Sequence, residues 1–295
     1  MAVVHVIGLG SMGLGMALSL LRAGHAVHGL DLNAAQIAKL EDAGGQALTR
    51  AAPQADALVC VVLNAAQTEQ ALFGPEGWAA HVKPGGTILS CATVAPDFAK
   101  AMEAEAQARG LHYLDAPISG GAARAAEGAL SVMASGTPAA FDGAAEALSA
   151  MAQTVHHLGD HAGPGSAMKA VNQLLAGVHI AAMGEALGFA TSQGLDLRRV
   201  LEVIKVSAGT SWMFENRAPH VIEADYTPRS SINIWPKDLG IVTDIAADAN
   251  LPLPLTETAL AQYRAAAEAG LGHEDDASIT KLVASRAGLK LPGDA

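Results

Sequence analysis

The apolar run VVHVI at residues 3–7 leads without a break into Gly8-Leu9-Gly10-Ser11-Met12-Gly13. The apolar period then turns helical through Met16, Leu20 and Leu21, as far as Gly24. A second run, AVHGLD, closes on Asp31, 18 residues after the last glycine of the loop. Few patterns restrict a chain more. The first glycine permits a tight turn, the second lets the backbone approach a pyrophosphate, and the third lets helix and strand pack closely. The helix N-terminus then faces the phosphates. Strand, loop, helix, strand and acid in this order predict a dinucleotide-binding unit at the head of the chain. The Asp31 carboxylate can accept both ribose hydroxyls and would repel a 2′-phosphate, while Leu32, Asn33, Ala34 and Ala35 supply no arginine for one. NAD is favoured over NADP.

The alternation continues. Strands are predicted at 57–63, 87–92, 111–115, 130–135 and 155–158, with helices at 34–43, 95–109 and 138–151. Ligands of such sheets bind beyond the carboxyl ends of the strands. That places Leu63, Asn64, Thr93 and the loop after Asp115 along a cleft, although Asn64 and Thr93 taken singly suit a helix cap better than a ligand contact. Gly163 to Gly194 then reads as one long helix of about 28 residues, roughly 40 Å, with Ser166 as its cap and Gly194 as its left-handed end. On it Val171, Leu174, Leu175, Val178, Ala182 and Phe189 recur at helical spacing, and Lys169, Asn172 and Gln173 sit together. Beyond it the pattern is helical throughout, at 196–206, 212–223, 237–249, 254–269 and 275–285, with Pro219, Pro228, Pro236, Pro252 and Pro254 as punctuation.

The expected architecture is therefore α/β, with a dinucleotide-binding domain over 1–162 and an all-helical domain over 163–295 whose first element (163–194) is the connector. Hydrophobic residues at 51% and charged ones at 16% suit a packed enzyme and argue against disorder. A net charge of -11 disfavours nucleic acid. The apolar stretch Leu174 to Ala190 contains His179 and Glu185 and is somewhat short to span a membrane, so it reads as core. Cys60 and Cys91 fall in predicted buried strands and give no disulfide framework. With no signal peptide pattern, a soluble cytoplasmic protein is expected.

Two further stretches can carry chemistry. Asp115-Ala116-Pro117-Ile118-Ser119-Gly120-Gly121 follows a strand and ends in paired glycines. Such a turn either is merely tight or presents N–H groups and a hydroxyl to a carboxylate. Lys237-Asp238 opens a helix after Trp235-Pro236 and, alone, reads as a solvated helix start. The histidines have no metal-binding spacing, and no metal is expected.

GLGSMG, DAPISGG, Gly163-Pro164-Gly165 leading to Lys169 and Asn172, and Lys237-Asp238-Leu239 occur in this order across essentially the whole chain. Together they resemble the β-hydroxyacid dehydrogenases, the family of 3-hydroxyisobutyrate dehydrogenase and tartronate semialdehyde reductase. The resemblance implies a Rossmann-type domain joined by a long interdomain helix to an all-α domain that shapes the pocket and subunit interface. It implies Lys169 as the catalytic lysine, and Ser119, Gly120 and Gly121 as the holders of a substrate carboxylate, with Asn172 and Gln173 beside them. Gly8 to Gly13, Asp31, Leu32, Asn33, Leu63, Asn64, Thr93 and Lys237 would meet NAD. The family usually has a second asparagine where this chain has Gln173, which must alter pocket depth. The strings VVLNAAQ, NQLLAGVHIAA, SWMFENR, DYTP, KDLG, PLPL and GHEDDASI, and Gln173 itself, resemble one branch, which oxidises a four-carbon sugar acid with NAD.

The implied reaction is oxidation of a small anionic hydroxy acid, with Lys169 taking the hydroxyl proton. Free lysine titrates near pH 10.4, so the site must either lower that value or use the protonated amine to polarise the forming carbonyl. A non-catalytic NAD-binding module or an imine reductase on the same scaffold would lack the lysine, and here it is intact. An exposed apolar helical domain favours a homodimer or homotetramer.

Overall fold

The computed structural model describes residues 1–294, in two compact units, Met1–Lys169 and the residues from Ala170 onward. The first unit opens with β1 (Val3–Ile7), α1 (Gly13–Arg22), β2 (Ala26–Leu30), α2 (Ala34–Asp42), β3 (Gln46–Ala47), β4 (Ala55–Cys60), α3 (Ala65–Phe73), β5 (Val82–Ser90), α4 (Pro96–Ala108) and β6 (His112–Asp115). The six strands form one parallel sheet in the order β3-β2-β1-β4-β5-β6, the doubly wound order whose ligand crevice lies where the winding reverses. Strand residues alternate between two cores. Val4, Val6, Ala57 and Val59 pack with α1 on one face, and Ile7, Leu58, Cys60 and Ile88 pack with Trp78 on the other. A sheet buried on both faces explains why its strands read as unbroken apolar runs.

The strands after Asp115 do not extend this sheet. β7 (Ile118–Ser119), β8 (Leu130–Ala134) and β9 (Ala152–His157) make a second, three-stranded sheet, with β7 antiparallel to β8 and β8 parallel to β9. Between them lie α5 (Gly121–Glu127), a helix not among those expected, and α6 (Pro138–Met151). Seven residues with one buried side chain, Ala125, give no apolar period to read.

The long helix, α7, runs Pro164–Ser192, and Gly194 follows with φ of +70°. Ser166 is thus inside its first turn and does not cap it. The remaining helices are α8 (Leu197–Ile204), α9 (Trp212–Ile222), α10 (Ile234–Asp248), α11 (Pro254–Ala266) and α12 (Ile279–Arg286). Pro219, expected as punctuation, lies within α9, and Lys237-Asp238 sit three residues inside α10 rather than at its start. From Ala176 on, α7 packs through a face of alternating small and large apolar residues, Ala176, Ile180, Met183, Leu187 and Ala190. A Cβ on Gly177 would stand 2.9 Å from both Leu239 and Trp235, and one on Gly188 would stand 2.7 Å from Val283. The large residues at helical spacing, Val171, Leu175 and Phe189, are instead 54%, 49% and 68% exposed. By length and composition α7 could cross a membrane, but half of its most apolar window is buried in the protein, as a core helix requires.

Candidate functional site

The glycine loop has the shape its residues predict. Gly8 turns with φ of +89° and donates to the Leu30 carbonyl at 2.8 Å. A Cβ on Gly13 would fall 1.8 Å from the Gly8 oxygen, so α1 can approach β1 only because that position is glycine. A Cβ on Gly10 would meet nothing within 4 Å, which leaves the exposed middle of the loop open to a bound phosphate. Ser11 and Met12 complete the loop, and the Leu9 side chain is buried in the core, so only its backbone faces outward. Asp31, at the end of β2, accepts from the Leu9 N–H at 2.6 Å through one oxygen and from the Asn33 N–H at 2.8 Å through the other. The acid therefore braces the loop. Leu32 is fully exposed, and Asn33 caps α2 through the Ala35 N–H. These residues fit a dinucleotide with free ribose hydroxyls.

The double substitution Asp31→Ala, Leu32→Arg should lower the ratio of kcat/KM with NAD to that with NADP by about 10- to 100-fold, the scale of one charged hydrogen bond. The exposed position 32 has room for the new side chain. Steady-state kinetics with both cofactors decides this, and an unchanged ratio refutes the ribose role. Because the Leu9 and Asn33 amides lose their acceptor, absolute affinity should fall for both.

Beyond the other strands the expected contact residues divide. Asn64 caps α3, its side chain accepting from the Gln67 N–H at 2.9 Å, and the Gln67 side chain in turn accepts from the Leu63 N–H at 3.0 Å. The Leu63 side chain is half exposed beside this cap. Thr93 follows β5, partly buried, and the cap of α4 is Ala95.

Lys169 is brought to the SGG turn. It is buried, and its Nζ donates to the Ile118 carbonyl at 2.8 Å, directly before Ser119. Gly120 and Gly121 follow with φ of +136° and +76°, conformations that L side chains rarely adopt, and Ser119 is half-buried. A lysine and a turn able to present N–H groups and a hydroxyl thus lie together.

The residue that builds this junction is Asp115, quoted in the motif but given no task by the sequence. It ends β6 with 1% exposure and accepts from the Gly163 N–H (3.0 Å), the Ser166 N–H (2.8 Å), the Ser166 hydroxyl (2.7 Å) and the Ser135 hydroxyl (3.3 Å). Burial pushes its carboxyl up, while these four donors pull the other way. The start of α7 is capped by an acid some fifty positions upstream, not by Ser166. Gly165 is required there because a Cβ would lie 2.5 Å from the Met133 oxygen.

In the second unit Asn172 and Gln173 lie one turn along α7 from the lysine, Gln173 buried and Asn172 half-buried. The Asn172 Nδ2 donates to Gln173 Oε1 at 2.9 Å, and the Gln173 Nε2 donates to Asp238 at 2.5 Å. Asp238, 2% exposed, is also ion-paired with Lys237. With Asp238 buried and Lys237 partly buried, the pair is not a solvated helix start. The SWMFENR and GHEDDASI strings meet elsewhere in this unit. Arg217 donates to Asp276 at 2.6 Å, as does the Trp235 indole at 3.1 Å, while His220 pairs with Asp275 at 2.8 Å. Burial pushes the Asp276 carboxyl up. At Asp275 burial is outweighed by the hydrogen bond with His220 and by two backbone donors, which hold its carboxyl below the usual range. Among the described residues no group of three or more His, Cys, Asp or Glu could hold a metal.

Two known sequence families match. Residues 3–159 match the NAD binding domain of 6-phosphogluconate dehydrogenase, and residues 163–283 match the NAD-binding domain of NADP-dependent 3-hydroxyisobutyrate dehydrogenase. The chain is 46% identical to L-threonate dehydrogenase of Cupriavidus necator over 99% of its length and 98% of the relative's. It is 33% identical to 3-hydroxyisobutyrate dehydrogenase of Pseudomonas aeruginosa, over 95% and 97%. A crystal structure described as 3-hydroxyisobutyrate dehydrogenase from Salmonella typhimurium superposes with a TM-score of 0.91 at 46% identity, covering 95% of this chain and 99% of that one.

Proposed function

We propose that this chain, which belongs to the β-hydroxyacid dehydrogenase family of 3-hydroxyisobutyrate dehydrogenase, oxidises L-threonate to 2-dehydro-L-erythronate with NAD. The observation that carries the chemistry is Lys169 donating to the Ile118 carbonyl beside the Ser119-Gly120-Gly121 turn. The turn would take the substrate carboxylate on its N–H groups and the Ser119 hydroxyl. Lys169 would hold the reacting hydroxyl, receiving its proton or stabilising the oxygen as the carbonyl forms. Bound NAD supplies the acceptor for the hydride that leaves the same carbon. The glycine loop and Asp31 would hold its pyrophosphate and ribose, with Leu63, Asn64, Thr93 and Lys237 as further contacts.

The choice of acid rests on the relatives and on polarity. Proteins named L-threonate dehydrogenase are 44–46% identical over at least 95% of this chain. The Asn172 amide, paired with that of Gln173, is suited to a polyhydroxylated acid, and a buried polar group without its partner costs about 1–3 kcal/mol. The name carried by the Salmonella typhimurium structure favours the second reading, 3-hydroxyisobutyrate. The two separate on a panel of L-threonate, D-glycerate and 3-hydroxyisobutyrate with NAD, followed by NADH absorbance. L-threonate should have the highest kcat/KM, by at least about tenfold, since a site built for hydroxyls rejects analogues that lack them. Equal or better use of 3-hydroxyisobutyrate would sink the threonate reading. The exposed Val171, Leu175, Phe189, Val203 and Trp212 support self-association as a homodimer or homotetramer, and a cytoplasmic location fits the two buried, unbridged cysteines.

A further inference from the structure

The amides of Asn172 and Gln173 have a fixed polarity, and its source is Asp238. A carboxylate only accepts hydrogen bonds. One Asp238 oxygen is held by the Lys237 ammonium and the other receives Gln173 Nε2, so the end of Gln173 facing Asp238 must be its NH2. The Gln173 oxygen is thereby turned to Asn172, which must answer with its own NH2, as it does at 2.9 Å. With its NH2 turned to Gln173, Asn172 directs its carbonyl oxygen the other way, and only the second N–H of that NH2 remains as a donor. Each link is forced by the one before it.

We propose that Asp238 is a positioning residue for substrate specificity. Through Gln173 it sets Asn172 to present an acceptor, so that the site recognises a hydroxyl of its substrate. This rests on the reading above that the substrate is a polyhydroxylated acid. It gives the Gln173 departure a purpose: the longer side chain reaches Asp238, and both ends of its amide are used in the relay rather than on the substrate. Lys237 completes the device by claiming the second carboxylate oxygen.

The relay can be reversed and restored by charge alone. In Asp238→Asn the new side chain has one oxygen, which Lys237 claims, so its NH2 turns on Gln173. Gln173 must then flip, Asn172 must flip after it, and the site presents a donor where it had an acceptor. In the double variant Asp238→Asn, Gln173→Glu the carboxylate at 173 accepts from both neighbours, and Asn172 again presents its oxygen. The measurement is kcat/KM on L-threonate and on the four-carbon acids in which one hydroxyl at a time is replaced by hydrogen. NAD dissociation constants and melting temperatures are recorded alongside.

Wild type should discriminate by about 100-fold at one hydroxyl. Asp238→Asn should reduce that to under about tenfold, mainly by raising KM for threonate, and the double variant should recover most of it. Equal losses on every acid, or a double variant no better than the single one, would overturn the proposal, since a merely structural role predicts both. If wild type fails on threonate, the functional reading falls. The relay is then tested unchanged on whichever hydroxy acid is turned over best and on its deoxy counterparts.

Discussion

Lys169→Ala is expected to bind NAD nearly as wild type does and to lose roughly two to four orders of magnitude in kcat, the scale of a positioned acid or base. The nucleotide loop and Asp31 are braced by the Leu9 and Asn33 amides and the Gly8–Leu30 bond, so cofactor affinity should be spared. The side chain is buried and held on the Ile118 carbonyl, so alanine removes the amine from a fixed place beside the SGG turn. Lys169→Arg separates the two possible tasks of the amine. Arginine stays charged at every working pH and cannot accept a proton. If it restores a substantial part of the rate, the amine works as a charge. If it is as slow as alanine, the amine works by moving the proton. A titration of NAD binding with single-turnover kinetics decides these points, and more than a tenth of wild-type activity in Lys169→Ala would remove the lysine from the mechanism.

The largest loss of stability should come from Asp276→Ala. Asp276 is fully buried and accepts from Arg217 and from the Trp235 indole, and Arg217 is itself buried. Removing one partner of a buried ion pair leaves the other charge without compensation, at a cost of about 3–5 kcal/mol. In a chain of this size that corresponds to a fall in Tm of about 10 °C. Adding Arg217→Met to Asp276→Ala should recover part of the loss, because the stranded charge goes with it. Calorimetry on the three proteins tests this, and a double variant less stable than the single one would show that packing, not charge, sets the cost.

That network also shows what a sequence conceals. SWMFENR and GHEDDASI are informative as strings, yet the Arg217, Asp275 and Asp276 they supply pair inside the second unit, Arg217 with Asp276 and Asp275 with the nearby His220. The dinucleotide unit was legible because each of its requirements is local: a turn, a close approach and an acid at fixed spacing. Lys169 was legible once four motifs fell in order. Contacts between residues far apart were not. Asp115 meets Ser166 across 51 positions and Gln173 meets Asp238 across 65, and no periodicity announces either. The α7 residues at helical spacing misled in the opposite sense, since its packing face runs through Ala176, Ile180, Met183, Leu187 and Ala190 while Val171 and Phe189 stay outside.

The first turn of a helix is ordinarily where amides exchange with solvent most readily, because its N–H groups lack partners within the helix. In α7 two of the amides there, those of Gly163 and Ser166, end on a buried carboxylate that belongs to the strand before the SGG turn. Fraying from that end would have to pull Asp115 out of the core first. The Lys169 amine, less than two turns from the helix start, is therefore denied the small excursions that helix ends enjoy. Its position is tied, through that carboxylate, to the strand that ends at Asp115.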